Sequence, residues 1–170
     1  PYRQLSGETQ WKMQPTTSNV WKTYLGFDRT SLSLDTYGRR LNLGESNLYL
    51  NSVIKGSAKG GLSWFAGMAG SMVWEDISGA LTKGDRYLDR PSKLHFKAKV
   101  SKSLSSAVKA TVGAETYLRH AEIDYTSSDN HHYTATTHLP ALFAEAQCRL
   151  ARHLFAEASL RSEYTSAVHH

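Results

Sequence analysis

Eight histidines are spread along 170 residues, and four of them bear on one stretch: His120, then His131, His132 and His138, with Asp124 between. Imidazoles that stay largely neutral near pH 7 are ligands for transition metals and haem iron, and an aspartate can complete such a set. His131, His132 and His138 are therefore the candidate ligand-binding residues, carried on a loop between Asp124 and His138. The plainer reading is a polar loop that happens to contain histidine. It outweighs a metal centre, so no metal site is assigned and no cofactor is expected. Asp129 with His131 and His132 can be drawn as part of a hydrolytic triad, but the chain has no Gly-x-Ser-x-Gly elbow and no His-Glu-x-x-His helix. A non-enzymatic protein is expected. The run from Lys83 to Arg90 mixes aromatic and paired charges and reads as a solvated loop able to touch a ligand or a neighbouring surface protein.

The elements that hold these residues are constrained by composition. The chain is 40% hydrophobic, 21% charged and 11% aromatic, with 20 Lys+Arg against 15 Asp+Glu. No run approaches the roughly 18 to 20 consecutive apolar residues of a membrane-spanning helix. The longest nearly uncharged stretch, Gly60 to Trp74, is broken by four glycines and two serines. Nine Tyr, five Phe and four Trp argue against a disordered chain. The lone Cys148 excludes an internal disulfide and a Cys-rich zinc site. Basic residues are dispersed without a dense block, so no nucleic-acid partner is expected.

The period is two almost throughout. Leu62, Trp64, Ala66, Met68, Gly70, Met72 and Trp74 share one face of a strand. Val108, Ala110, Val112, Ala114 and Leu118 share a face against Lys109, Glu115 and Arg119. Leu142, Ala144, Ala146 and Cys148 oppose Phe143, Glu145, Gln147 and Arg149. As helices, the Ala-rich segments from Leu139 to Leu160 would scatter their Glu and Arg round every side, whereas at period two these fall together. Eight strands are predicted, beginning with Ser6 to Met13. Leu32 and Leu34 change parity relative to Trp21, Thr23, Leu25 and Phe27, which predicts a bulge near Arg29 to Ser31.

Connections of short and long reach alternate, the long ones being Thr36 to Ser46, Ile77 to Ser92 and Ala121 to His138. An up-and-down transmembrane barrel has that alternation, with turns at one end and loops at the other. Trp64 and Trp74 lie on one face at a separation of roughly 25 Å along the membrane normal, taking about 3.3 Å per residue and a tilt near 40°. They are the candidate lipid-interface aromatics, with membrane lipid as the expected partner and Cys148 among the lipid-facing positions. Lys22, Asp28, Lys97, Lys99, Lys109, Glu115, Arg119, Glu145, Arg149, Glu157, Arg161 and Glu163 fall on the opposite, lumen-lining side. The fold class is all-β, an antiparallel up-and-down transmembrane β-barrel.

Leu142-Phe143-Ala144-Glu145-Ala146, Leu150-Ala151-Arg152-His153-Leu154-Phe155-Ala156-Glu157-Ala158 and the closing Leu160-Arg161-Ser162-Glu163-Tyr164-Thr165 resemble a hairpin of TonB-dependent outer-membrane receptors of the Bacteroidetes type. Asn47-Leu48-Tyr49-Leu50-Asn51-Ser52 and Gly113-Ala114-Glu115-Thr116-Tyr117 are similar to other strands of that barrel, so the resemblance runs from Asn47 to Tyr164. It implies the bacterial outer membrane, import of a nutrient such as a siderophore, haem, metal complex, glycan or peptide, and TonB with a surface substrate or lipoprotein as partners. Family barrels have about 22 strands and a plugged lumen, and residues 1–170 show neither a plug domain nor a TonB-engaging box. The chain starts at Pro1 and stops at Ser166-Ala167-Val168-His169-His170 without a terminal aromatic. A segment of a larger barrel is expected. The alternatives are a complete eight-stranded outer-membrane barrel with a structural, adhesive or channel role, and a soluble sandwich or outer-membrane enzyme.

Overall fold

The computed structural model describes residues 1–36, 38–79, 84–127 and 130–169. Within them the chain is a single antiparallel sheet: β1 (Tyr2–Thr16), β2 (Asn19–Thr36), β3 (Arg39–Ala58), β4 (Leu62–Ser78), β5 (Arg86–Asp89), β6 (Ser92–Ser103), β7 (Val108–Thr126), β8 (His131–Ala151), β9 (Leu154–Glu163) and β10 (Ser166–His169). Apart from β6, which lies in line with β5 between β4 and β7, and β10, which lies in line with β9 on β8, each strand follows its predecessor across the sheet, which is the up-and-down order expected.

Ten strands reduce to eight spans. β5 and β6 continue one register against β4, since Glu75 pairs Asp89 and Met72 pairs Ser92. They are separated at Arg90 and Pro91, where proline has no N–H to give the ladder. The Pro91 carbonyl still accepts from the Val73 amide at 3.0 Å, and the Arg90 amide donates to the Glu122 carbonyl at 2.9 Å. β9 and β10 likewise share one register on β8, with the gap opposite Pro140, whose carbonyl accepts from the Tyr164 amide at 3.0 Å.

Two expectations are corrected. The long connections are mostly paired backbone: Arg39 to Ser46 belongs to β3, Arg86 to Asp89 to β5, and His131 to His138 to β8. Extended hairpins satisfy their own backbone groups wherever they lie, so polarity on these stretches does not make them loops. Nor is there a bulge at Arg29 to Ser31, because Arg29 pairs Leu5 and Ser46 within unbroken registers. The parity change of Leu32 and Leu34 is a change in which face is apolar.

Registers assign every side chain to a face, since directly paired residues share one. The Trp64 face carries Trp11, Trp21, Leu25 and Phe27, then Ile54, Leu50 and Leu48, then Val100, Phe96 and Leu94, and beyond them Val112, Leu118, Leu142 and Leu160. At the end bearing the turns 59–61 and 104–107 this face is apolar from the start of each strand. Past Phe27, Leu48, Trp74 and Leu118 the same face turns polar, with Arg29, Ser46, Asp76, Arg90 and Glu122. The opposite face does the reverse. It is charged alongside the apolar band, then mixed at the far end, where Leu32, Leu43, Val73, Ile77, Tyr87, Ile123, Tyr125 and Tyr133 lie around a row of carboxylates, Glu45, Glu75 and Asp89. Among the described residues, only Ala141 and Phe143 are buried hydrophobic side chains, as expected of one layer with no second layer against it.

Candidate functional site

The predicted histidines share a strand but do not converge. His132 and His138 lie on the Trp64 face, while His131, one residue from His132, points to the opposite face beside Tyr125. His138 Nε2 hydrogen-bonds the Thr116 hydroxyl at 2.7 Å, and His120 Nδ1 hydrogen-bonds the Thr136 hydroxyl at 2.9 Å. All are held on β7 and β8 rather than in a loop. Asp129 lies outside the described residues, and Lys83, at the head of the Lys83 to Arg90 run, does too.

Above the apolar band of the Trp64 face, a belt of charge is built from strand ends. Arg90 pairs with Glu122 at 3.1 Å and with Asp124, and His132 Nδ1 lies 2.5 Å from Asp124 Oδ1. One strand over, Arg86 donates to both carboxylate oxygens of Asp76, at 3.0 and 2.6 Å. Hydrogen bonding to His132, with the nearby Arg90 charge, holds the Asp124 carboxyl below its ordinary value, and the Arg86 guanidinium does the same for Asp76. Glu122, Asp124 and His132 bring one ligand atom each within 4.8 Å of the others. The Arg90 guanidinium already sits on both carboxylates and supplies the positive charge that a cation would bring. The arrangement is therefore a clamp that ties β5 to β7 across the Pro91 interruption. Sequence reading placed Arg90 at the end of a solvated run and missed Glu122, which fell in a stretch taken for a loop; its period-two spacing with Asp124 was the available signal.

The charged face is organised around Glu115. Its carboxylate meets Lys97 Nζ at 3.0 Å, the Arg161 guanidinium, and His95 at 3.8 Å, and Arg161 reaches on to Glu163 at 3.1 Å. Lys97 also stands 4.9 Å from the centre of the Phe143 ring, a cation–π distance. Phe143 lies over Gly113, where a Cβ would come 2.3 Å from the ring and 2.6 Å from the Ala98 carbonyl. Ser101 and Thr111, both buried, share a hydrogen bond of 2.8 Å. At the far end of this face burial pushes the Tyr87 phenol above its ordinary value, helped by Asp89 and Glu75.

Two furrows cross the apolar band of the Trp64 face. One of about 640 Å³ is flanked by Phe96, Leu142 and Tyr164 over Ala66, Ala98 and Ala114. The other, about 540 Å³, runs between Leu48, Leu50, Met72, Leu94 and Leu118 above Gly70. Small residues between large ones produce these furrows.

No family model matches the sequence. No curated protein is similar to it. Solved structures are similar in fold. The alcaligin outer-membrane receptor FauA from Bordetella pertussis superposes with a TM-score of 0.82 at 8% identity, over 99% of this chain and 29% of that one. The copper transporter OprC gives 0.75 at 10% identity, over 98% and 29%, and the RagAB peptide transporter gives 0.73 at 10% identity, over 96% and 28%. The chain thus has the fold of part of the barrel wall of TonB-dependent outer-membrane receptors, and spans about three-tenths of the length of the structures it matches.

Proposed function

We propose that residues 1–170 form part of the wall of a bacterial outer-membrane transport barrel that takes up a nutrient from outside, in the manner of a TonB-dependent receptor. The observation that carries this reading is the double inversion of polarity along the sheet. One face is apolar over the height of a membrane and then charged; the other is charged over that height and then largely apolar and aromatic around the carboxylates Glu45, Glu75 and Asp89. The first order suits a wall leaving lipid for headgroups and water. The second suits an aqueous lumen that opens into a mouth lined by aromatic rings and a few carboxylates, where a ligand too bulky for simple diffusion gains contact area. Trp64 and Trp74 then mark the two interfaces, and the short turns face the periplasm.

His131 is the predicted ligand residue that lines the mouth, beside Tyr125 and Tyr133. His132 and His138 face outwards and contribute to the wall or to a surface partner. The ligand class lies within siderophores, haem, other metal complexes, glycans and peptides, with TonB as the energy-coupling partner and a surface lipoprotein as accessory. No step in this role needs bond chemistry from the chain.

The test is ligand-dependent growth in a host expressing the complete protein, read beside its heat-modifiable mobility as a measure of barrel folding. Replacing Tyr125 and Tyr133 by Ala is expected to raise the ligand concentration needed for half-maximal growth about tenfold, corresponding to ~1.4 kcal/mol, with folding unchanged. Growth that ignores both the protein and the pair of substitutions would refute the transport role.

A further inference from the structure

A third hollow, of about 360 Å³, lies on the charged face at the end bearing the turns, and Lys55, Ser63, Phe65, Lys99, Ser101 and Lys109 line it. Registers explain its shape. Lys55 of β3 and Lys99 of β6 stand directly opposite Phe65 of β4, one on either side. The Phe65 ring leans towards Gly67, where a Cβ would meet it at 3.0 Å. That leaves the next row, Ser57, Ser63 and Ser101, as a floor of short side chains. Lys109 of β7, directly opposite Ser103, closes the side towards the turns. Among the described residues, Lys55, Lys99 and Lys109 make no ion pair and no side-chain hydrogen bond. No carboxylate lines the hollow. Glu145, opposite Thr111 and diagonal to Lys109, forms no ion pair with it, and Glu157 accepts from the Gln147 amide at 3.1 Å. Glu115 and Glu163 are held by Lys97 and Arg161, and Glu8 and Asp28 accept from Tyr24 and Asn47. Glu45, Glu75 and Asp89 stand ten residues along their strands from Lys55, Phe65 and Lys99, about 33 Å away. Lys12 and Lys22, directly opposite each other, add further positive charge beside Lys55.

From this hollow we infer a binding site for a water-soluble phosphate monoester. The inference goes beyond uptake and needs only that the charged face meets water, whatever the barrel carries. Charge sets the class of ligand. A phosphate monoester brings about 1.5 to 2 negative charges and three strong acceptor oxygens near neutral pH, one oxygen for each ammonium. A carboxylate brings a single charge and leaves the three lysines repelling one another. The lysine stems are flexible, so their ammonium groups converge across the two strand spacings between β3 and β6, about 10 Å. The Ser63 hydroxyl adds a donor from the floor, while Ser101 is buried and held by its 2.8 Å bond to Thr111. The volume is at the small end of the roughly 300–1,000 Å³ of small-molecule sites. It leaves space beside the phosphate for a compact organic group, which meets Phe65 and Val20.

Phenyl phosphate is the probe, its phosphorus NMR line followed with the complete protein in zwitterionic detergent at low ionic strength, where screening is weak. Saturable broadening is expected. The apparent Kd should rise about tenfold or more in the combined Lys55→Gln, Lys99→Gln and Lys109→Gln variant. Lys97→Gln removes the same charge from the same face but from a lysine already paired with Glu115, and should leave the Kd within about twofold. Heat-modifiable mobility reports folding; if the combined variant does not fold, Lys55→Gln and Lys109→Gln singly, each expected to weaken binding about threefold, decide instead. Binding that is not saturable, or that survives these substitutions unchanged, overturns the inference. So does displacement of phenyl phosphate by benzoate or by inorganic phosphate as readily as by phenyl phosphate itself, since the first would mark a general anion surface and the second a bare phosphate site. Nutrient-dependent growth is a separate readout, whose loss counts against the transport role and not against this site.

Discussion

At the scale of single residues, close approach and charge placement set the sensitivities. Gly113 has no room for a methyl group, because Phe143 lies on it and the Ala98 carbonyl stands at its side. Gly113→Ala is expected to displace Phe143 and the Lys97 ammonium above it, costing about 1–3 kcal/mol as for other overpacked sites. The measurement is the denaturant midpoint of the folded barrel; the same change at Gly7, which has nothing within 4 Å of its Cβ position, should leave it within about 0.5 kcal/mol. The Arg90 clamp gives a pH dependence. Asp124 and Asp76 have folded values lowered from 3.8, so their contribution is present above that value and is lost as pH falls through the lowered ones. A titration of the Asp124 carboxyl carbon by NMR should show a midpoint below 3.8, moving up towards it in Arg90→Gln and further when His132→Gln is added.

The elements show where the sequence was legible and where it misled. Leu62 to Asp76 could be read correctly because one face stays apolar from Leu62 to Trp74, while the other mixes small and polar residues with Phe65 and Val73. Leu32 and Leu34 misled because parity was assumed to keep the same face apolar; a strand that leaves the apolar band reverses the faces without any bulge. The histidines misled for a similar reason. Neighbours in sequence such as His131 and His132 look like one cluster, yet on a strand they are on opposite sides. Proline explains the apparent extra strands. Pro91 leaves the Val73 carbonyl without its ladder donor, and Pro140 does the same to the Tyr164 carbonyl. Pro91→Ala is expected to close the gap between β5 and β6, seen as a newly protected amide at position 91 in hydrogen exchange. A freely exchanging amide there would mean that the interruption has another cause.

For the whole molecule, a single sheet with almost no buried hydrophobic side chain makes sense only when its two faces meet different surroundings. The eight spans, their order and their orientation were readable from the period of the chain, whereas the belt of Arg90, Glu122 and Asp124 was not, since it depends on registers between segments that looked unpaired. Likeness to receptor and transporter barrels at 8–10% identity agrees with that picture at the level of fold. Its direct test is cysteine accessibility along β4 of the complete protein in outer membranes, with Cys148 replaced by Ser and single cysteines placed from Trp64 to Ser78. The account predicts that a water-soluble thiol reagent labels odd positions such as Gly67, Ala69 and Ser71 and spares Ala66, Met68, Gly70 and Met72, and that labelling returns on the even side at Asp76 and Ser78. Uniform labelling along β4, or protection continuing through Asp76 and Ser78, would contradict it.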